Sequence, residues 1–272
     1  MTQRTAVVGA AWSPMTDSPT RTPVPLFVDD AGPHHGLPVV LLHAAAGDGT
    51  QYAPQLAHLR TTRRALAFDL RGHGRSPRAT SFAIEDAGAD VVAALAALHV
   101  ERFVIVGHSW GGAVATAVAG LVPERVAGLL LLDPATDARL MPKEVADGLM
   151  HGLHTAYDAT VAKYYDELLA AARPEVRTRL LATIAAAPKE VVIGTLESML
   201  TFDPVTPLSR YHGPKRSVIS PLGERPDAYH HRVPDLPATL VEGVGHWLQL
   251  DAPERVNAEL DAFLAVVDRA AP

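Results

Sequence analysis

The chain has 272 residues, 48% of them hydrophobic, and a formal charge of −6. That composition suits one large folded unit with an insertion and is too apolar for a disordered chain. The mild acidity, without any Lys/Arg cluster, excludes nucleic acid as an expected partner, and the absence of cysteine excludes disulfides, thiolate nucleophiles and cysteine-ligated metals.

Residues 1–22 are rich in Thr, Pro and Ser and are expected to form a loose lead-in with at most a weak strand. The apolar run at 6–12 is too short and too soon broken for a signal peptide. No other apolar run approaches the length of a membrane span. A soluble, cytoplasmic protein without a membrane partner is expected. Strands are expected at 25–28, 39–42, 65–68, 103–106, 126–132, 216–220 and 239–242. Several are unbroken Val/Leu/Ile runs, as parallel strands covered on both faces require. Helical patterns at 51–59, 84–98, 112–121 and 253–267 alternate with them. In the last of these, Val256, Leu260, Phe263, Leu264 and Val267 share one face. The alternation implies an α/β fold, a doubly wound and mostly parallel sheet.

Between 138 and 211 the alternation stops. Only helical patterns remain, at 143–154, 159–172, 174–186 and 189–200, punctuated by Arg173-Pro174 and by Pro188. This segment is expected to be an all-helical cap, inserted into a core made of 1–137 and 212–272. It should cover the C-terminal edge of the sheet, where open α/β sheets bind their ligands.

The most informative short stretch is Gly107-His108-Ser109-Trp110-Gly111. It lies between an apolar strand pattern and a small-residue helix pattern. A serine on a sharp strand-to-helix turn has its hydroxyl pushed out of the sheet, next to a helix N-terminus that favours negative charge. Serine needs a base, and the base needs a carboxylate to fix its tautomer. His246, in Gly243-Val244-Gly245-His246-Trp247, follows the last expected strand and is the best base among thirteen histidines. Asp133 ends the apolar run Leu129-Leu130-Leu131-Leu132 and is the preferred acid, because such a strand cannot bury a lone charge cheaply. Glu224 and Asp227 remain alternatives, since the order Ser, Asp or Glu, His fits all three. An oxyanion needs two fixed donors. Trp110 N–H is one candidate, and Ala45 N–H, in the small-residue loop His43-Ala44-Ala45-Ala46-Gly47, is the other.

These motifs, together with Phe68-Asp69-Leu70-Arg71-Gly72-His73-Gly74-Arg75-Ser76, resemble the α/β-hydrolase superfamily over almost the whole chain. The resemblance is specific for the superfamily and not for a substrate. It implies a serine-nucleophile member with a helical cap. The Asp-x-Arg-Gly-x-Gly-x-Ser stretch reads as a structural turn. Two departures stand out: Ala44 replaces the usual Gly of the oxyanion loop, and Pro226 occupies the position where the family's acid is common. A dehalogenase-like branch of the family places its acid after the preceding strand, where Asp133 lies. That branch, like the epoxide hydrolases, uses an aspartate nucleophile, whereas Ser109 suits acyl transfer.

The expected activity is therefore hydrolysis of a carboxylic ester, lactone or related acyl compound through a Ser-His-Asp triad. The alternatives are a carbon–carbon bond hydrolase or thioesterase, cofactor-free oxygen or peroxide chemistry, and a non-catalytic binding protein on the same fold. A small or medium apolar acyl ester or lactone is the expected substrate, because little formal charge accompanies the elbow. Met150, Leu153, Tyr157 and Met199 are the expected pocket lining, with Tyr164 and Trp110 as further candidates. No cofactor is expected. No metal site is expected either: His34-His35 and His230-His231 are read as exposed loop pairs, because adjacent histidines on a strand point apart.

Overall fold

The computed structural model describes residues 4–8 and 22–270. Eight strands form one sheet: β1 (Arg4–Val8), β2 (Leu26–Ala31), β3 (Val39–Leu42), β4 (Ala65–Asp69), β5 (Phe103–His108), β6 (Val126–Leu132), β7 (Lys215–Ile219) and β8 (Ala238–Leu240). Their spatial order is β1-β2-β4-β3-β5-β6-β7-β8. The β1–β2 and β2–β4 pairs are antiparallel and all the others parallel. The central strands β3, β4, β5 and β6 are buried along their whole length. This is what their unbroken aliphatic sequences demand of a sheet covered on both sides.

The cover comes from α1 (Ala53–Leu59) and the C-terminal helix on one face, and from α2 (Ile84–Ala97) and α3 (Trp110–Leu121) on the other. Between β6 and β7 lie α4 (Lys143–Thr155), α5 (Tyr157–Leu168), α6 (Pro174–Ala186), α7 (Lys189–Thr201) and α8 (Val205–Arg210). Helices α4 to α7 share a third apolar cluster, in which Leu153, Tyr165, Leu180 and Leu196 pack with Ala44, Ala46 and Trp247 of the core loops, whereas Leu208 of α8 packs into the cluster of α2 and α3. Single turns α9 (Tyr229–Arg232) and α10 (Leu248–Asp251) precede α11 (Pro253–Ala270), which buries the five apolar side chains expected of it. Among the described residues no helix is long and apolar enough to cross a membrane.

Three differences from the sequence reading have physical causes. The weak lead-in strand is β1, an edge strand added antiparallel to β2. Strand β8 is three residues long and ends before 241–242, because the chain turns at Gly243, whose φ is 75°. Helix α8 escaped the reading because six residues opening with Pro204-Val205 carry too little periodicity to register.

The turn after β4 is structural, as read. Asp69 accepts from the N–H groups of Gly49 and Arg75 at 2.9 Å each, and Ser76 Oγ accepts from Phe27 N–H at 2.8 Å. Arg71 pairs with buried Asp90 at 2.7 Å. The stretch ties β2, β4 and α2 together. After β3 the chain crosses to β4 on one side, and β5 then lies on the other side of β3. The loops after β3 and β5 therefore diverge around a crevice at the C-terminal edge.

Candidate active site

Ser109 occupies one side of that crevice. Its φ of 53° and ψ of −121° lie in a region that costs any residue with a Cβ. The surroundings hold it there: Ser109 N–H donates to Leu132 O at 3.2 Å, and its carbonyl accepts from Gly112 N–H at 2.8 Å and Ala135 N–H at 3.2 Å. The flanking glycines are required by close approach. A Cβ on Gly107 would sit 2.3 Å from Gly111 O, and one on Gly111 would sit 2.3 Å from His43 O.

Asp133 follows the end of the neighbouring strand, also with positive φ (39°), and is 1% exposed. Three donors compensate its buried charge. Ser220 N–H donates to Oδ1 at 2.9 Å, Ser220 Oγ to Oδ2 at 2.7 Å, and His246 Nδ1 to Oδ2 at 2.7 Å. Charge-assisted bonds of this length are the strong ones. Gly223 closes over the same carboxylate, and a Cβ there would lie 2.1 Å from Oδ1. With its proton on Nδ1, His246 presents Nε2 as an acceptor.

Three further histidines pack beside the site without lining its cavity, and all are buried. His43 Nδ1 donates to Ala44 O at 2.7 Å, and its Nε2 accepts from Leu70 N–H at 2.9 Å. His73 Nδ1 donates to Arg71 O at 2.9 Å, and its Nε2 accepts from Ala46 N–H at 3.2 Å. His108 Nε2 donates to His246 O at 2.9 Å, and its Nδ1 accepts from Gln249 at 3.1 Å. Burial lowers all three pKa values, that of His73 to about 3. Each is a neutral ring with a fixed tautomer that pins a backbone segment beside Ser109 or His246. None was singled out from sequence. Only the positions of His43 and His108, inside motifs that bend sharply, hinted at it.

Ser109, Asp133 and His246 line a cavity of about 780 Å³. Its apolar wall includes Leu149, Leu168, Leu196 and Met199, and Glu144, Lys163, Glu167 and Arg225 also line it. Those four charged residues are exposed, whereas Leu196 is buried, so the charges belong to the mouth. A smaller recess behind it is lined by Ala44, Ala45, Ser109, Tyr165, His246 and Trp247, among others. Tyr165 Oη and Trp247 Nε1 are buried there without a hydrogen-bond partner among the described residues. Burial pushes the phenol of Tyr164, which lines both spaces, up to about 12.

A family model described as alpha/beta hydrolase fold matches residues 38–185, more than half of the chain. The chain belongs to the α/β-hydrolase family. Over 263 residues it is 29% identical to the dihydrolipoyllysine-residue acetyltransferase component of an acetoin cleaving system from Pseudomonas putida, covering 86% of this chain and 65% of that protein. Over 113 residues it is 41% identical to the lipase LipV of Mycobacterium tuberculosis, covering 41% of this chain and 42% of that one. The chain thus spans less than two thirds of the length of these curated relatives. Among solved structures, an N-acyl homoserine lactone degrading enzyme superposes with a TM-score of 0.75 at 26% identity, covering 88% of this chain and 97% of that one.

In this α/β-hydrolase the other sequence candidates lie apart from the Ser109 cluster. Glu224 is exposed and pairs with His231 at 2.7 Å, a bond that lowers its pKa. Asp227 pairs with Arg225 at 3.2 Å. Neither carboxylate bonds His246. Of the expected lining residues, Met199 lines the cavity. Met150, Leu153 and Tyr157 do not, because they pack into the apolar cluster among the helices. On α4 the cavity-facing stripe is Glu144, Val145, Gly148 and Leu149. The Trp110 side chain also turns inward, its Nε1 donating to Ser198 Oγ at 3.0 Å. The backbone amides of Ala45 and Trp110 have no hydrogen-bond partner among the described residues. Four charged residues, Glu144, Lys163, Glu167 and Arg225, gather at the mouth, away from the low-charge elbow that the sequence reading weighed. His230 and His231 are likewise not a loop pair: they sit on α9 with ring centroids 4.1 Å apart.

Proposed function

We propose that this enzyme hydrolyses a carboxylic ester or lactone through an acyl-enzyme. Ser109 acts as nucleophile, His246 as base and Asp133 as the group that orients and compensates the base. The observation that carries the reading is the 2.7 Å Asp133–His246 pair, which borders one cavity together with a strained Ser109. Nε2 of His246 takes the Ser109 proton as Oγ attacks the carbonyl. The imidazolium then gives that proton to the leaving alkoxide, and water repeats the cycle to release the acid. The unpaired amides of Ala45 and Trp110 serve as the oxyanion donors.

The helical segment 138–211 acts as the cap and supplies the apolar wall for the acyl or alkyl part. The buried, unpaired donors of Tyr165 and Trp247 favour a substrate with a second oxygen acceptor, as a lactone or an amide-bearing acyl group offers. The likeness to an N-acyl homoserine lactone degrading enzyme supports the lactone side of this reading.

The test is fluorophosphonate labelling of the folded protein with mass-spectrometric localisation, followed by a panel of p-nitrophenyl esters and lactones. The adduct is expected on Ser109. A folded protein that takes no label, or takes it elsewhere, rules the reading out.

A further inference from the structure

Outside the Ser109 cavity, one cluster of donor atoms is unused by the proposed chemistry. The turn after β7 carries Glu224, and α9 turns His230 and His231 back onto it. His231 Nε2 lies 2.7 Å from Glu224 Oε1, and His230 Nε2 lies 3.4 Å from Glu224 Oε2. One ligand atom from each of the three residues lies within 4.8 Å of the others. The His230 side chain is only 9% exposed, yet its Nε2 is buried without a hydrogen-bond partner among the described residues. Its contact with Glu224 Oε2 at 3.4 Å is long for a hydrogen bond, and an under-satisfied buried nitrogen is costly.

We propose that Glu224, His230 and His231 form a binding site for a divalent transition-metal cation of the Zn²⁺ type. Tetrahedral coordination with bonds of about 2.0–2.1 Å separates neighbouring ligand atoms by roughly 3.3 Å. The two histidine–Glu224 separations, 2.7 and 3.4 Å, bracket that value, and the third pair of ligand atoms lies within 4.8 Å. Two imidazoles and one carboxylate suit Zn²⁺ or Co²⁺ rather than Mg²⁺ or Ca²⁺, which prefer all-oxygen shells. Each imidazole would bind through Nε2 as a neutral ring with its proton on Nδ1, so the His231–Glu224 hydrogen bond gives way to two bonds to the ion. Water completes the fourth position.

The three ligands do not line the cavity, but Gly223 and Arg225 on either side of Glu224 do. The ion therefore clamps the loop that backs Asp133 and carries one cation of the mouth, rather than touching the reacting carbonyl. The proposal does not depend on the ester or lactone reading.

Tag-free, EDTA-treated full-length protein titrated with ZnCl₂ in a calorimeter, and with CoCl₂ followed by visible absorption, tests the site. One equivalent should bind, with Co²⁺ bands of nitrogen–oxygen ligation, and Zn²⁺ should raise the melting temperature. Glu224→Gln and His231→Ala change exposed side chains and leave the fold intact. Each should weaken binding about tenfold or more and abolish the melting shift. Changing both His34 and His35, an exposed pair in the β2–β3 loop, to Ala should alter neither. No saturable Zn²⁺ binding by the wild type, or binding unchanged in Glu224→Gln and His231→Ala, overturns the proposal.

Discussion

His108 Nε2 donates to the backbone carbonyl of His246 at 2.9 Å, so the residue before Ser109 carries the loop of the residue proposed as its base. A bond across 138 positions of sequence couples the two halves of the site. Replacing His108 with Leu leaves His246 O and the Gln249 side chain unpaired in a buried place. Each orphaned group costs about 1–3 kcal/mol. Urea unfolding of His108→Leu should show a loss of about 2–6 kcal/mol for the two groups together, and kcat should fall with the misplaced imidazole.

Asp133 and Ser220 offer a graded test of the carboxylate. Asp133→Asn keeps the shape and removes the charge, and kcat should drop by about 10³–10⁴, as amide replacement does in serine triads. Ser220→Ala removes one donor to the same Oδ2 and should cost about tenfold in kcat, with KM nearly unchanged. Steady-state kinetics on one p-nitrophenyl ester distinguishes the two. Equal effects would contradict the assignment.

Acid should destabilise the fold early. His43, His73 and His108 have pKa values lowered by burial, whereas in the unfolded chain each titrates near 6.5. Below that pH the unfolded state binds more protons, so stability present above about pH 6.5 is lost as pH falls. Each histidine contributes up to about 1.4 kcal/mol per pH unit, and for His73 the loss continues to about pH 3. Urea midpoints at stepped pH should fall steeply below 6.5. His73→Gln should flatten the slope by about one proton.

Two glycine substitutions should have opposite signs. At Gly111 an added Cβ meets backbone at 2.3 Å, and at Gly148, within α4, it meets nothing within 4 Å. Gly111→Ala should destabilise by about 1–3 kcal/mol or more and displace Ser109. Gly148→Ala should stabilise by about 0.5–1 kcal/mol through helix propensity alone. Thermal melts of both variants provide the comparison.

The central sheet was readable because β3 to β6 are aliphatic runs bounded by turn residues. Ser109 and Asp133 stood out because each ends such a run, and His246 because it lies in a glycine-bounded loop after the last strand. The cavity wall was not readable. The stripe of α4 that faces it holds Glu144 and Gly148, which look like a solvent face, while Leu153 and Met150 look like a pocket and pack among helices. Nor do the roles of His43, His73 and His108 show in sequence, since an imidazole's tautomer is set by partners 27 to 141 residues away as well as near ones. The His230-His231 reading failed for a related reason: it took the pair as exposed loop residues where the chain forms one helical turn.

The backbone at Ser109 carries a final consequence. Its φ and ψ suit glycine alone, and an ordinary residue held there costs about 1–3 kcal/mol. Ser109→Gly would relieve that strain and yield a protein harder to melt and, under the proposed mechanism, without its nucleophile. A directed-evolution campaign that scored heat resistance without turnover would be drawn to this position first. Stability and activity compete here within a single peptide unit.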